Sequence, residues 1–406
     1  MTASITLFPV GCGDMTLLTL ADQAKTTVLV DINIRAAGDD PAKEERDVAS
    51  DLRERIGTDT KNRPYVDAFL MTHPDEDHIR GLQNHFWLGA LADYPDDKKP
   101  KAEKRIVIRE LWSSPIVYRR AGRVKGFVLC EDAKAFCAEA RRRVKVNRDK
   151  KFAGVADGDR ILVLCEDEDG KTDDLGPILV KIDQEISVIN GINKKGYFTA
   201  TLIGPLPKDE SDAEEETLAK NRSSVILNMM IGADAKTPDG AKFLCGGDAE
   251  VAIWERQWKR HKTATEVLEY DLLLAPHHCS WHSLSYESWS GTKGKAKVCE
   301  DARKALSVAR KGATIVASSA PISDDDKDPP CIGAKNEYAA IAKAAGGSFI
   351  CTGEHPTEKN PEPLELTVSG QGVSLPAKQE AGRKSAAIIT STSTPMPHGS
   401  SWCKRL

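Results

Sequence analysis

The sequence predicts an α/β fold in which strands and helices alternate and pack in layers. Short apolar runs are bounded by glycine or proline, and charged segments with the composition of helices separate them. No run approaches the roughly 18 apolar residues of a membrane-spanning helix. Of the 406 residues, 40% are hydrophobic and 29% are charged, which is ordinary for a globular protein of this length.

The N-terminal part of the chain reads as short strands connected by turns. Apolar, β-rich runs lie at residues 4–10, 15–20 and 26–34, and the glycine-containing turn GCGD separates the first two. The charged segment 42–57 has the composition of a helix. These elements predict the first strands of a sheet and one helix that packs beside it.

The same alternation continues through the middle and the C-terminal part. The run VDAFLM at residues 66–71 predicts a buried strand, and residues 105–115 predict the next one. Residues 251–261 and 334–347 predict helices. Later strands are expected, in order, at residues 223–232, 241–250, 270–283, 313–321, 348–353 and 364–370. The last two of these runs look like a terminal hairpin.

Most of the chain is expected to form one domain. This domain spans residues 1–377 and contains an expanded, basic and helical insertion at residues 117–200. Residues 378–406 are rich in alanine, serine, threonine and lysine and show no periodicity, which predicts a flexible tail.

Charge and cysteine content limit the classes of function. The net charge of −4 excludes a positive field over the whole molecule, so contact with DNA or RNA requires a local basic patch. Residues 118–126 and 141–151 are basic enough to supply one, although a solvated helix surface is the alternative interpretation. The N-terminus lacks the pattern of a signal peptide, and none of the ten cysteines forms a C-x-x-C pair. We therefore expect a cytoplasmic protein with reduced thiols.

Residues 72–78, THPDEDH, place two histidines and three acids directly after a predicted strand. Imidazole suits zinc, and carboxylates suit harder divalent ions, so His73, Asp75, Asp77 and His78 are candidate metal ligands. Their alternation can supply two neighbouring cations. A solvated acidic turn with incidental histidines is the alternative.

Two later strands end in the same type of residue. The run FLCGGDAE ends in two glycines and Asp248, and LLLAPHHCS ends in His277 and His278. Glycines allow close approach of the backbone, and one carboxylate can bridge two cations. Three strand ends with metal-binding side chains favour a metal site over an acidic turn.

These motifs resemble those of metallo-β-lactamase-fold hydrolases. THPDEDH is similar to the H-x-[HD]-x-D-H signature, and its Asp75 is similar to the variant in the hydrolase domain of the competence protein ComEC. The segments LFPVGCGDMTLL, TTVLVDINI, NRSSVILNMMIG, FLCGGDAEVAIWE and LLLAPHHCSWHS resemble other segments of that subgroup in the same order. The resemblance covers roughly residues 5–375 and implies a four-layer αββα sandwich with an expanded middle.

The resemblance also implies a role for each ligand-type residue. His73 and Asp75 would bind a first metal, Asp77 and His78 a second, and Asp248 would bridge the two. One of His277 and His278 would complete the second metal. His278 is favoured because it aligns with the histidine of the broader family's P-G-H-G turn, and His277 would then orient a ligand or contact the substrate. The two divalent ions are expected to be zinc or manganese. In this sequence Cys279 stands where the family usually has glycine, and no histidine lies between residues 86 and 260 to match the family's third-motif ligand.

The function implied is metal-dependent hydrolysis, with a phosphodiester as the substrate and Asp77 as the residue that orients water or accepts its proton. A nuclease is the leading expectation. Hydrolysis of another ester, a thioester or an amide on the same fold is the first alternative. The second is a partner-regulated module of a bacterial defence or uptake system.

Overall fold

A computed structural model describes residues 2–40, 42–43, 45–207, 218 and 223–376. The tail expected at residues 378–406 lies outside these ranges. Strands and helices alternate along the chain, so the α/β class is confirmed. The described α-helices are α1 (Val48–Arg55), α2 (Leu82–His85), α3 (Pro115–Ala121), α4 (Glu131–Asp149), α5 (Val251–His261), α6 (Pro276–Cys279), α7 (Glu300–Leu306) and α8 (Ile332–Ala344).

The strands are numbered in chain order. The first ten are β1 (Ser4–Leu7), β2 (Thr16–Thr19), β3 (Thr27–Val30), β4 (Ile32–Asn33), β5 (Tyr65–Leu70), β6 (Ile79–Arg80), β7 (Phe86–Trp87), β8 (Ile106–Ser113), β9 (Arg160–Leu164) and β10 (Leu179–Val180). The others are β11 (Glu185–Ile186), β12 (Val188–Ile189), β13 (Ile192–Asn193), β14 (Phe198–Gly204), β15 (Ile226–Ile231), β16 (Ala241–Cys245), β17 (Tyr270–Leu274), β18 (Ala309–Ala317), β19 (Ser348–Cys351), β20 (Pro356–Thr357), β21 (Asn360–Pro361), β22 (Leu364–Ser369) and β23 (Gly372–Ser374).

Two large sheets contain most of these strands. The first has ten strands in the order β10-β9-β8-β5-β3-β2-β1-β22-β23, with β7 paired to β8. The second has seven strands in the order β11-β14-β15-β16-β17-β18-β19. Strand β5 runs parallel to both of its neighbours, and β16 runs parallel to β17. Parallel neighbours place their carboxyl ends at the same edge of a sheet, and at these edges the ligand-type residues begin.

Side chains alternate between two cores along each strand. In β5, Ala68 and Leu70 belong to a central core that also contains Phe243 and Leu272 of the second sheet. The intervening Phe69 belongs instead to a core shared with helices α1 and α4. This period of two is the burial pattern of a strand with apolar packing on both faces.

The second sheet is covered on its other face by helices. Strand residues Leu244 and Leu273 pack in one core with Trp254 of α5 and Tyr338 of α8. Trp254 is fully buried, and Trp258 is partly buried against the same core. Both tryptophans are therefore packing residues of the core and not exposed stacking platforms.

The prediction that residues 348–353 and 364–370 form a terminal hairpin is wrong. Strand β19 pairs with β18 in the second sheet, whereas β22 pairs with β1 and β23 in the first. Local alternation identified both strands, but pairing depends on contacts between distant parts of the chain. The partner of β22 is β1, at the opposite end of the sequence, and no short-range pattern indicates such a pairing.

The basic stretch 117–200 contributes to both large sheets. Strands β9 and β10 extend the first sheet, and β11 and β14 lie in the second. Many of its cations form ion pairs, including Arg119 with Asp167 at 2.8 Å and Arg148 with Asp174 at 2.6 Å. Arg143 is buried against Glu139 at 2.7 Å. Much of the positive charge read from the sequence is therefore balanced locally.

Two further properties were also anticipated. Within the described ranges, no helix combines the length and the apolar composition that crossing a bilayer requires. The nine cysteines in the described part of the chain are all free thiols.

We predict that Phe136→Ala lowers the free energy of unfolding by about 3–5 kcal/mol, because it leaves a cavity in a packed core. The Phe136 ring lies 5.9 Å from Phe69 and 6.4 Å from Tyr118, measured between ring centroids. Urea denaturation followed by circular dichroism measures the change. Val128→Ala is the control: Val128 is 76% exposed, and its truncation should change stability by no more than about 0.5 kcal/mol. A similar loss in both variants would contradict the assignment of Phe136 to the core.

Candidate metal centre

Four chain segments meet where the carboxyl ends of β5, β16 and β17 approach the turn between β1 and β2. The turn supplies Asp14, and the segment after β5 supplies His73 to His78. Asp248 follows β16, and α6 follows β17 and carries His277 and His278. The first two segments belong to the first sheet and the last two to the second, so the site lies between the sheets.

Asp248 is the centre of this cluster, and its two oxygens face different histidines. Oδ1 lies 3.0 Å from His78 Nε2 and 3.4 Å from His278 Nε2. Oδ2 lies 3.5 Å from Nε2 of both His73 and His277. One buried carboxylate thus separates four imidazoles into two pairs.

The remaining predicted residues lie at the edge of the cluster. Asp75 Oδ2 is 3.9 Å from His73 Nε2, on the Oδ2 side of Asp248. Asp77 Oδ2 is 3.4 Å from His278 Nε2, on the Oδ1 side, and its side chain is 33% exposed. All seven residues singled out in the sequence are therefore brought together.

Asp14 is a member of the cluster to which the sequence analysis gave no role. One potential ligand atom from each of Asp14, His78, Asp248 and His278 lies within 4.8 Å of the others, and all four residues are buried. Asp14 Oδ1 is 3.4 Å from His278 Nδ1. The motif GCGD could have indicated this role, because an acid that follows a glycine turn beside a strand of the site is a candidate metal ligand.

The potential ligand atoms of this cluster suit a divalent cation. Within the described ranges, the buried atoms Asp14 Oδ1, His73 Nε2 and His278 Nδ1 have no well-formed hydrogen bond. Buried polar atoms are almost always hydrogen-bonded, so buried atoms that have only longer ion-pair contacts point to an unfilled interaction. Two carboxylates and two imidazoles are a ligand set that suits a divalent metal. The cluster can hold a metal ion.

Asp31, which follows β3, fixes the orientation of His78. Its Oδ2 lies 2.8 Å from His78 Nδ1, and its two oxygens also accept hydrogen bonds from the Thr72 N–H and hydroxyl at 2.7 and 2.6 Å. Burial raises the pKa of Asp31, and the charge of His78 opposes that rise. A carboxylate on one ring nitrogen directs the other nitrogen to the site, and such partners tune metal affinity. The sequence located Asp31 at a strand end without indicating this role.

Electrostatics within the cluster favour charged side chains. Burial lowers the pKa of His78 and of His278, but the surrounding carboxylates together outweigh it, so both values lie well above the usual range. Asp248 acts on both rings, with Asp31 on His78 and with Asp14 and Asp77 on His278. Burial raises the pKa of Asp248, and the four histidines lower it well below the usual range. The imidazoles and the central carboxylate stabilise one another, and protons compete with cations for the same ring nitrogens.

Two turns depend on glycine to approach the site. Gly13 has a φ of +153°, and a Cβ there would lie 2.7 Å from the Asp77 carbonyl oxygen. The Asp14 N–H donates to that oxygen at 3.2 Å. Gly247 has a φ of +47°, and a Cβ there would lie 2.6 Å from Thr72 Oγ1. Glycine therefore allows both acids, Asp14 and Asp248, to be carried close to the segment after β5.

Helix α6 has an unusual backbone. His277, His278 and Cys279 have φ values of 51°, 51° and 67°, in the left-handed region that side chains other than glycine rarely adopt. The glycine expected at position 279 by resemblance would suit this conformation, whereas the cysteine there is strained. Strain of this kind is concentrated at functional sites.

The serines near the site have structural partners. Ser280 Oγ accepts from the His282 N–H at 3.1 Å, and Ser283 Oγ donates to the Pro276 carbonyl at 3.2 Å. Ser223 Oγ donates to the Leu218 carbonyl and accepts from Arg120. These contacts are typical of turn and capping residues.

We predict that Gly247→Ala weakens metal binding by about 10-fold to 100-fold, because the added Cβ would collide with Thr72 and displace Asp248. Isothermal titration of the metal-free protein with Zn²⁺ or Mn²⁺ measures the change. Gly346→Ala is a matched control: Gly346 also has a left-handed φ, of +72°, and a Cβ there meets nothing within 4 Å. Equal weakening in both variants would show that backbone strain alone, and not the contact with Thr72, is responsible.

Comparisons with known proteins add no identity. No protein family matches the chain, and no curated protein matches it significantly. Among solved structures, a protein of unknown function from Enterococcus faecalis V583 is 9% identical, over 86% of this chain and 88% of that chain, with a TM-score of 0.27. A likeness this low carries no argument about fold or function.

Proposed function

We propose that this chain is a metal-dependent hydrolase of phosphodiesters, with a dinuclear centre on a metallo-β-lactamase-like fold. The observation that carries the proposal is the position of Asp248, whose two oxygens each face a separate pair of histidines. A carboxylate shared in this way supports a bridging role between two cations.

The packing of the sheets supports the four-layer αββα form of the proposal. Helices α1 and α4 share a core with the outer face of the first sheet, and α5 and α8 share one with the second. The central core lies between the two sheets. The ligand-type residues lie at one end of this arrangement, after the ends of β5, β16 and β17.

The proposed ligand sets follow the two oxygens of Asp248. On the Oδ2 side, His73 and Asp75 would hold the first cation, and His277 joins them because its Nε2 faces the same oxygen as His73 does. With the bridging Asp248, this assignment gives the first cation four side chains, and His277 takes the place of the third-motif histidine that the sequence lacks.

On the Oδ1 side, His78 and His278 would hold the second cation with Asp14 and Asp77. Zinc and manganese both suit these mixed imidazole and carboxylate sets.

Bound divalent cations supply Lewis acidity, which activates a water molecule as nucleophile and stabilises negative charge on the substrate. Asp77 is the residue proposed to orient that water and accept its proton. Burial raises its pKa, but a hydrogen bond from His278 and the charge of His78 lower it well below the usual range, so the carboxylate is ionised at neutral pH. Its partial exposure leaves it accessible to a substrate.

The substrate class rests on the THPDEDH motif. The aspartate at position 75 is similar to the ComEC-like variant, and this resemblance favours a phosphodiester over a lactam or thioester. Nucleic acid is the proposed polymer. The ion pairs of Arg119, Arg142, Lys145 and Arg148 reduce the positive charge available on the helical segment, so the substrate is expected to be held mainly at the metal centre.

The test of this proposal is hydrolysis of bis(p-nitrophenyl) phosphate, single-stranded and double-stranded DNA, and RNA by metal-loaded protein. We predict that Asp77→Ala lowers the rate of hydrolysis by at least about 100-fold, because the proposed proton acceptor, which is also a proposed ligand of the second cation, is lost. The circular dichroism spectrum should be unchanged.

Glu76→Ala is the matched control for this substitution. Glu76 is the neighbouring acid, its side chain is 59% exposed, and it pairs with Arg80 at 3.1 Å rather than with the cluster. Its loss should leave the rate unchanged. Hydrolysis that survives Asp77→Ala would contradict the assigned role, and bound metal without phosphodiester hydrolysis would favour another ester, thioester or amide substrate.

We also predict that metal affinity rises with pH beyond the ordinary titration of histidine. The raised pKa values of His78 and His278 mean that both rings hold protons above their usual range, and a cation must displace those protons. Each displaced proton gives about a tenfold change in affinity per pH unit. Titrations with Zn²⁺ from about pH 6 to about pH 8 measure this slope. An affinity that is flat over this range would contradict a site built on protonated imidazoles.

A further inference from the structure

A cavity lies apart from the metal centre, between α4, β9 and the loop that follows β9. Its volume is about 570 Å³, within the range of small-molecule sites. None of its lining residues belongs to the metal cluster. Nothing in the proposed hydrolysis uses it.

Helix α4 presents one continuous stripe to this cavity. Cys137, Ala140 and Val144 line it at spacings of three and four residues, which places them on one face of the helix. The opposite wall includes Ile161 and Val163 of β9, which are 3% and 4% exposed. The interior is therefore apolar and is built from regular elements that hold their shape.

Cationic side chains surround the apolar interior. Arg119, Arg141, Lys145, Arg148 and Lys171 line the cavity, against the two acids Asp149 and Asp167. Four of these cations are paired, for example Lys145 with Asp149 at 2.5 Å and Lys171 with Glu168 at 3.4 Å.

Arg141 differs from the other four cations. Its side chain is exposed, and within the described ranges Arg141 forms no ion pair. It follows Ala140 on α4, next to the apolar stripe.

We propose that this cavity binds an amphipathic organic anion, with its apolar body against Val144, Ile161 and Val163 and its anionic group at Arg141. The apolar interior favours a hydrocarbon or aromatic body over a sugar or a nucleotide phosphate chain, because burying apolar surface is the main gain available there. The guanidinium selects a carboxylate, sulfonate or phosphate. A neutral molecule of the same shape would lack that contact.

The test is a fluorescence titration of the full chain with anilinonaphthalene sulfonate, followed by displacement with decanoate and with decanol. We expect saturable binding that decanoate reverses at least about tenfold more effectively than decanol, which corresponds to about 1.4 kcal/mol for the charge contact. Binding should persist after chelation of metal ions, so the result is independent of the proposed hydrolase activity.

Two pairs of variants locate the site. Ala140→Trp fills the cavity and should abolish binding, whereas Ala138→Trp, an exposed position on α4 outside the lining, should leave binding unchanged. Arg141→Glu should weaken decanoate binding by at least about tenfold, and Lys134→Glu, an exposed cation on α4 away from the cavity, should have no such effect. Binding that is absent in the unmodified chain, insensitive to Ala140→Trp, or equal for decanoate and decanol would overturn the proposal.

Discussion

The interaction on which the site depends is the contact of one buried carboxylate with four imidazoles. Asp248 is 2% exposed, and an ionised carboxylate in such a position requires compensating charge or hydrogen bonds. His73, His78, His277 and His278 provide them at 3.0 to 3.5 Å. Their positions in turn require the turns at Gly247 and at α6, where the backbone adopts left-handed conformations.

The strand-end residues could be predicted from the sequence because each motif is local. An apolar run followed by histidine and aspartate specifies both the strand and the residues after its end, as it did for His73, Asp248 and His278. The αβ class followed from the same runs. Contacts between distant parts of the chain could not be predicted in this way. Asp14 joins the cluster because the turn after β1 folds against the Asp77 backbone, and Asp31 acts through its contact with His78.

The basic segment shows a similar limit of local sequence. Residues 141–151 are strongly cationic when read as a string, but the fold places Glu139, Asp159 and Asp174 beside their arginines. Arg143 is buried, where it donates to the Ile108 carbonyl at 3.0 Å. The cations of this run therefore form a network of ion pairs and hydrogen bonds that holds α4 to β9. Arg141 lies outside this network and lines the cavity. Local composition gives the number of charges, but only the tertiary contacts show which remain available.

The location of the metal cluster between the two sheets has a consequence for how the protein reaches its folded state. His78 and His278 are 200 residues apart in the chain, but their Nε2 atoms lie 3.1 Å apart. The entropic cost of closing a loop of this length must be met before the contact can stabilise the fold. The first half of the chain can form strands as it is synthesised, but the cation site is completed only after the second sheet has docked. The cluster that can hold a metal ion is therefore completed late, because an incomplete chain carries only part of its residues.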